Sequence, residues 1–325
     1  YGTIRIDYAY VDQGPGLQKV DLFSRYGSAI GFRGEEKLGG GLSAWFQCES
    51  TLDAVEGQDV LCGRNSGIGF KGAVGNVFFG MWDTPHKLVG PLRVSPFSTA
   101  GPFGMGGILL NSSGSNVGNG LLGAQQGTGL GGTAVTAASF TRRQANTINY
   151  HTPVWNGFRA MGQFSATDEA TSQTSAAVAA KPRLWSIGAD YTAGPLRIGA
   201  GYENHKNYNP GLEATYTGGN DTNWHINAAY TFAGVFRLGG VYTRTEYELA
   251  AGTTLEQKAW GVYGDWRIAG PHSLRLGYTQ ADDTEGTGTV AVNNYAAPRV
   301  GGVPTGNSGA QLWALAHIAG NPGAK

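Results

Sequence analysis

The feature that most constrains this chain is an alternation of period two, with apolar residues on one face of each predicted strand and polar residues on the other. In one segment the apolar face carries Trp224, Ile226, Ala228 and Tyr230, and the opposite face carries Asn223, His225 and Asn227. This period predicts β-strands with two unlike faces. Arginine recurs on the polar faces, at Arg5, Arg33, Arg159, Arg197, Arg237, Arg267 and Arg275. A dry core excludes so many charges, so we expect the polar faces to line water and the apolar faces to meet lipid.

The connections between predicted strands also alternate in length. Short turns of Gly, Pro or Asn, as at residues 193–195, alternate with long polar loops, as at residues 167–182. Short turns at one end and long loops at the other are typical of outer-membrane barrels. The sequence therefore predicts an all-β chain, residues 1–325, that forms a single transmembrane antiparallel β-barrel. A soluble antiparallel barrel or sandwich is the alternative, because its strands alternate too.

Composition narrows the possible partners. Charged residues make up 14% of the chain, whereas a soluble domain carries about 25%. The formal net charge is +0, which argues against a nucleic-acid partner. Residues 127–132 fit a G-x-G-x-x-G pattern but lack a βαβ context, and the six histidines show no metal-ligand spacing. We therefore expect no cofactor, no metal site and no catalytic residue.

A long segment at residues 84–139 interrupts the alternation. It is rich in Gly, Ser, Pro and small apolar residues, and an insertion of this length is either disordered or functional. No Asp or Glu occurs from Thr84 to Thr167, where the chain average would give about six. The interval does contain the bases Lys87, Arg93, Arg142, Arg143 and Arg159. We expect the segment to fold into the barrel lumen and form a cationic constriction; a surface loop is the alternative.

The two cysteines, Cys48 and Cys62, flank an acidic turn region and could face each other across a hairpin. A disulfide there would indicate an oxidising compartment such as the periplasm or the cell surface. Two free thiols are the alternative, because an exposed hairpin need not align them.

Several short segments resemble general porins of Gram-negative bacteria, in particular those of the betaproteobacterial and neisserial type. They are residues 1–4 (YGTI), 31–36 (GFRGEE), 38–42 (LGGGL), 44–47 (AWFQ), 64–66 (RNS), 69–72 (GFKG), 75–77 (GNV) and 81–83 (MWD). The resemblance implies sixteen antiparallel strands, a homotrimer in the outer membrane, contact with outer-membrane lipid and lipopolysaccharide, and an inward-folded third loop.

Two departures from that family accompany the resemblance. The loop segment at residues 101–107 (GPFGMGG) has no acid where porins often carry one, and the chain does not end on a terminal aromatic residue. We count about fourteen strands, so we expect the last two strands of the barrel to be absent from this chain; strands hidden within the long loops are the alternative.

The function that follows is passive diffusion of small hydrophilic solutes, anionic or neutral, with a bias toward anions. By motif position we expect the constriction to be lined by Arg33, Lys71 and Arg143, with Arg5, Arg159 and Arg93 as further candidates. The alternatives are a barrel-borne outer-membrane hydrolase, for which His151 and His225 are the wall-facing histidines, and a non-conducting structural or adhesin barrel. Each arginine could also form a salt bridge to an acid on the barrel wall, with Asp7, Asp190, Glu203 and Asp265 as the candidate partners.

Overall fold

The structure is a computed structural model that describes residues 1–4, 7–11, 20–24, 28–52, 61–97, 109, 140–166, 183–206, 219–250, 253–270, 272–282, 285–286, 299–300, 303–304 and 311–319. Its strands are β1 (Gly2–Thr3), β2 (Asp7–Val11), β3 (Val20–Ser24), β4 (Ala29–Gly39), β5 (Leu42–Thr51), β6 (Ser66–Gly72), β7 (Gly75–Asp83), β8 (Arg143–His151), β9 (Phe158–Ala166), β10 (Arg183–Ala193), β11 (Leu196–Lys206), β12 (Asn220–Phe232), β13 (Phe236–Ala250), β14 (Thr253–Ala269), β15 (His272–Ala281), β16 (Glu285–Gly286), β17 (Arg299–Val300), β18 (Val303–Pro304) and β19 (Gln311–Ala319). One short helix, α1 (Pro85–Val89), and a 3₁₀ turn, Pro91–Arg93, follow β7.

Nearly all of these strands form one antiparallel sheet. Its order is β1-β4-β5-β6-β7-β8-β9-β10-β11-β12-β13-β14-β15-β19, with β16 paired to β14. Each strand from β4 to β14 is hydrogen-bonded to the next one along the chain, so hairpins follow one another without a crossover. Two separate hairpins pair β2 with β3 and β17 with β18. The prediction of an all-β antiparallel chain is confirmed.

The two faces of the sheet differ in the way that the alternation predicts. On β12, Trp224, Ile226 and Tyr230 are exposed, whereas Asn223 and Asn227 on the opposite face are almost fully buried. Aromatic rings of neighbouring strands meet on the exposed face, in the pairs Phe164–Trp185, Trp224–Tyr242 and Trp260–Tyr278. Apolar outside and polar inside is the reverse of a soluble fold and suits a strand that faces lipid.

Short turns connect the strands at one end of the sheet. The turn between β8 and β9 places Asn156 and Gly157 at φ 47° and 88°. Gly157 is required there, because a Cβ would lie 2.1 Å from the Thr192 carbonyl oxygen, in a left-handed backbone that disfavours side chains. The opposite end carries the longer connections, which the sequence also predicts.

The disulfide between Cys48 and Cys62 is present, with Cα atoms 4.7 Å apart. It joins β5 to the residues that precede β6, beside the hydrogen bond that the Cys62 amide donates to Ser50 Oγ at 2.9 Å. The predicted pairing is therefore confirmed, and the alternative of two free thiols is wrong.

Two details differ from the sequence prediction or go beyond the described residues. The alternation of residues 1–12 predicts one strand, but β1 pairs with β4 and β2 pairs with β3, in separate sheets. The main path contains fourteen strands within the described part of the chain. The sixteen strands that the resemblance implies, with the last two absent from this chain, stay a prediction.

Candidate functional site

The segment that follows β7 lies against the polar face of the sheet. Thr84 caps helix α1, since its hydroxyl accepts a hydrogen bond from the Lys87 amide at 3.4 Å, and Pro85 occupies the first turn. The helix contacts β9, β10 and β11. We call Thr84–Phe97 the docked segment. Apart from Leu109, residues 98–139 of the predicted inward loop lie outside the described residues.

His86 is the most heavily bonded residue of the docked segment. Its amide donates to Ser186 Oγ at 3.0 Å, and its ring nitrogens lie 2.6 Å from Asn223 Oδ1 and 3.1 Å from the Phe140 carbonyl oxygen. Complete burial lowers the pKa of His86 below 6.5, although the negative charge of Glu203 opposes that change. The amide and the buried ring of His86 therefore fasten the docked segment to β10, to β12 and to the residue Phe140 that precedes β8.

The wall also bonds the backbone of helix α1. His225 Nε2 lies 3.0 Å from the His86 carbonyl oxygen, and Asn227 Nδ2 donates to the Val89 carbonyl oxygen at 2.8 Å. These contacts satisfy carbonyl groups that a helix of one turn leaves without a partner. His225, which the hydrolase alternative would use as a base, is occupied by this contact.

Glycines on alternate strands let the backbone of the docked segment approach the wall. A Cβ on Gly199 would lie 2.8 Å from the Val89 carbonyl oxygen, and one on Gly239 would lie 2.8 Å from the Val94 carbonyl oxygen. A Cβ on Gly277 would lie 2.8 Å from the Phe97 ring. The three glycines therefore form a track on β11, β13 and β15 along which the segment lies.

Each glycine of this track follows an arginine by two residues. Arg237 donates to the Arg93 carbonyl oxygen, and Arg275 donates to the Pro96 carbonyl oxygen at 3.3 Å. Arg197, two residues before Gly199, bonds Asp190 instead, at 3.1 Å. On each of these three strands, the motif Arg-x-Gly therefore places an arginine between the short turn and the glycine that the docked segment touches.

Three arginines converge beneath the docked segment. Arg159 Nε and Nη2 donate to the two carboxylate oxygens of Asp190 at 3.0 and 3.3 Å, and Arg197 Nη2 donates to the same carboxylate. Burial lowers the pKa of Arg93, and the charges of Arg197 and Arg159 lower it further. We call Arg93, Arg159 and Arg197 with Asp190 the lower basic cluster; it has three cations and one anion.

A second group of charges lies where the wall formed by β4 to β8 meets helix α1. Arg143 Nη2 lies 3.3 Å from Asp83 Oδ1, and Lys87 Nζ lies 2.7 Å from the same oxygen. Arg64 Nε donates to Glu49 Oε1 at 2.6 Å. The guanidinium of Arg33 lies 5.2 Å from the centre of the Tyr1 ring. We call these side chains the upper basic cluster, in which Arg33, Arg64, Lys87 and Arg143 outnumber Glu49 and Asp83.

The candidates from the sequence thus fall into three places. Arg33 and Arg143 belong to the upper cluster, and Arg93 and Arg159 to the lower one. Lys71 lies at the short-turn end of β6, where its Nζ is 2.6 Å from Glu35 Oε2. Arg5 lies outside the described residues.

Sequence reasoning missed Arg64 and Arg197 as candidate site residues. The Arg-x-Gly motif, repeated at residues 197–199, 237–239 and 275–277, was the signal that could have found Arg197. The loop itself carries no acid, but Asp83 and Asp190 come to it from the wall.

The part of the chain that the structure describes offers little support for a metal site or for a hydrolase active site. Within it, no group of three or more His, Cys, Asp or Glu is arranged to hold a metal ion. His151 packs edge-on against Phe78, with ring centres 5.0 Å apart. Among these same residues, no helix is long and apolar enough to cross a membrane.

Comparison with known proteins agrees with this geometry. The family model described as Gram-negative porin matches residues 1–299. An outer membrane porin protein of Bordetella pertussis is 29% identical over 231 residues, which cover 67% of this chain and 52% of that protein. The chain therefore spans about half the length of that relative.

Two solved structures share the fold. The anion-selective porin from Comamonas acidovorans superposes with a TM-score of 0.66 at 23% identity, covering 86% of this chain and 77% of that one. A loop-deletion mutant of OmpT, an outer membrane protein of Vibrio cholerae, superposes with a TM-score of 0.57 at 17% identity, covering 88% of this chain and 83% of that one. At these identities the likeness concerns the fold.

Proposed function

Since the chain belongs to the Gram-negative porin family and so to the outer membrane, we propose that it is a passive diffusion channel for small hydrophilic solutes, biased toward anions. The polar face of its sheet is the wall of the water-filled passage. Solutes cross this wall by diffusion, in contact with the charges and hydrogen-bonding groups that its described residues offer.

The observation that carries the anion bias is the surplus of cations beside the docked segment. Arg159 and Arg197 share the carboxylate of Asp190, and the charges of both arginines act on Arg93 of the docked segment. In the upper cluster, too, the positive charges outnumber the negative ones. Charge at a narrow point between low-dielectric walls selects solutes by sign. Chloride and small organic anions are therefore favoured over potassium.

Residues 84–139 form the inward-folded constriction loop of this channel. The contacts of the docked segment with Ser186, Asn223 and Asn227 support that placement, because all three side chains belong to the polar face. The acid-free composition of the loop keeps its own contribution to the passage neutral or positive.

The partners follow from the exposed face and from the family. Exposed apolar side chains such as Ile187 (58%) and Ile226 (51%) suit outer-membrane lipid and lipopolysaccharide. The chain assembles as a homotrimer, as general porins do. Chemical cross-linking of the protein in outer-membrane vesicles would show a trimer band; a monomer band alone would contradict this assembly.

The channel proposal is tested by recording currents in planar bilayers across a potassium chloride gradient. We expect a reversal potential with the sign of the chloride equilibrium potential. Arg143→Gln should move it toward zero, because the variant removes a cation from the wall. Arg244→Gln, which removes the same charge from an outward-facing salt bridge with Glu256, is the matched control and should leave it unchanged. A potassium-selective potential, or no conductance, would refute the proposal.

A further inference from the structure

We infer that the lower basic cluster is a binding site for one small tetrahedral oxyanion carrying two negative charges, of the sulfate or hydrogen phosphate class. This inference rests on the proposed channel function, because the anion reaches the site from the water-filled passage. The site is distinct from the upper cluster, and it lies between the docked segment and the short turns of β9, β10 and β11.

The position of the site follows from the strand register. Asp190 lies directly opposite Arg159 across β9 and β10, and opposite Gly199 across β10 and β11. Arg197 is two residues from Gly199 toward the short turn, and Gly199 is the point that Val89 of the docked segment touches. The segment therefore covers one side of the site, and Arg93 of the segment lies close enough for the charges of Arg197, Arg159 and Asp190 to act on it.

The site has two more positive charges than negative charges. Asp190 forms salt bridges with both Arg159 and Arg197, so one carboxylate neutralises only one of two guanidinium charges. Arg93 uses its Nε on the Leu88 carbonyl oxygen at 2.6 Å, which holds the side chain without neutralising its charge. A dianion would bring the cluster to neutrality.

The guanidinium groups of the cluster have more N–H donors than the hydrogen bonds to Asp190 use. Each guanidinium carries five donors, of which Arg159 uses its Nε and Nη2 on Asp190. The Nε of Arg197 is buried and has no hydrogen-bond partner among the described residues. Buried donors of this kind are rare in proteins and point to a missing acceptor.

The site is open to solutes on one side. The side chains of Arg159 and Arg197 keep 29% and 22% of their surface exposed, whereas Asp190 keeps only 11%. A solute thus meets the guanidiniums before the carboxylate. Three guanidiniums that approach from two strands and a loop suit a tetrahedral oxyanion, whose oxygens point in several directions, better than a planar carboxylate, which a single arginine fork satisfies.

The test is the block of chloride current by added dianions in planar bilayers, with the whole protein. Sulfate and inorganic phosphate, the latter at alkaline pH, should reduce the current with a saturable dose dependence. Nitrate and succinate at equal ionic strength should reduce it less. Arg197→Gln should raise the half-blocking sulfate concentration roughly tenfold, the loss typical of a hydrogen bond to a charged group.

The variant Asp190→Asn distinguishes an effect on anion binding from damage to the fold. It removes the only carboxylate of the cluster, so sulfate should block at a lower concentration than in the unmodified protein. Structural damage would change both variants in the same direction, whereas the site predicts opposite directions. Arg244→Gln should leave the sulfate block unchanged.

Each outcome decides one of the two proposals. An anion-selective current without saturable sulfate block, or with unchanged block in Arg197→Gln, overturns the site and leaves the channel function standing. Succinate block as strong as sulfate block overturns the tetrahedral assignment. A channel without anion preference overturns the proposed function itself.

Discussion

Replacement of Gly239 by alanine tests whether the docked segment depends on close approach to the wall. The added Cβ would lie 2.8 Å from the Val94 carbonyl oxygen, 3.0 Å from Val94 Cβ and 3.3 Å from the Val94 carbonyl carbon. Two of these three atoms belong to the backbone, and Val94 is 2% exposed. A rotamer change cannot relieve the contact, so the segment has to move away from β13.

The expected cost is that of an overpacked site, about 1–3 kcal/mol. We expect the substitution to displace the docked segment rather than to unfold the whole sheet, because it leaves the strand pairing of β13 unchanged. Moving Val94 also moves the Arg93 carbonyl oxygen away from Arg237, which removes a hydrogen bond to a charged group. We therefore expect both a lower stability in urea and a changed single-channel conductance.

Gly240→Ala is the matched control. Gly240 is the next residue of the same strand, so any gain from replacing glycine in a strand is the same for both variants. A Cβ there would meet only the Gly261 carbonyl oxygen, at 3.7 Å. The measurements are urea unfolding followed by tryptophan fluorescence, and conductance in planar bilayers. Equal unfolding midpoints and equal conductances for the two variants would refute the argument that the segment needs this glycine.

Two further perturbations act on the same region. Because burial lowers the pKa of His86 below 6.5, a detached segment takes up a proton that the docked one excludes, so docking weakens as the pH falls from about 7 to 5. Channel noise should rise over that range, and His86→Gln should remove the rise; a pH-independent wild-type current would contradict this. Reduction of the Cys48–Cys62 disulfide, or Cys62→Ser, should lower the stability by about 3 kcal/mol in the chain-entropy model. Urea unfolding with and without reductant measures it, and an unchanged midpoint would show that the bond does not stabilise the fold.

The strands were predictable because their evidence is local. On β12, exposed Trp224 and Ile226 alternate with buried residues such as Asn223. This two-residue period can be read from adjacent positions of the sequence without knowledge of the fold. The same reasoning failed for residues 1–12, where β1 and β2 have one alternation but different partner strands. Periodicity states which face a residue occupies and not which strand it pairs with.

The candidate site was predictable only in part, because it depends on contacts between distant residues. The type and face of Arg159 and Arg143 could be inferred, and Asp190 was one of the four wall acids considered as salt-bridge partners. The specific pairing of Asp190 with Arg159, and that of Asp83 with Arg143, could not be inferred. Lys71 was chosen by motif position, and its contact with Glu35 lies 36 residues away in the chain. The Arg-x-Gly motif becomes informative only once the docked segment is known to lie on the glycines.

The absence of acids from the loop does not by itself determine the charge of the passage. Asp190 and Asp83 come from the wall, and register rather than composition brings each of them to its arginine. Since Asp190 serves both Arg159 and Arg197, and Asp83 serves both Arg143 and Lys87, the carboxylates are shared and the cations are in excess. The proposed anion bias therefore depends on how few carboxylates the wall brings to these arginines as well as on the acid-free loop, and we expect removal of either carboxylate to strengthen the bias.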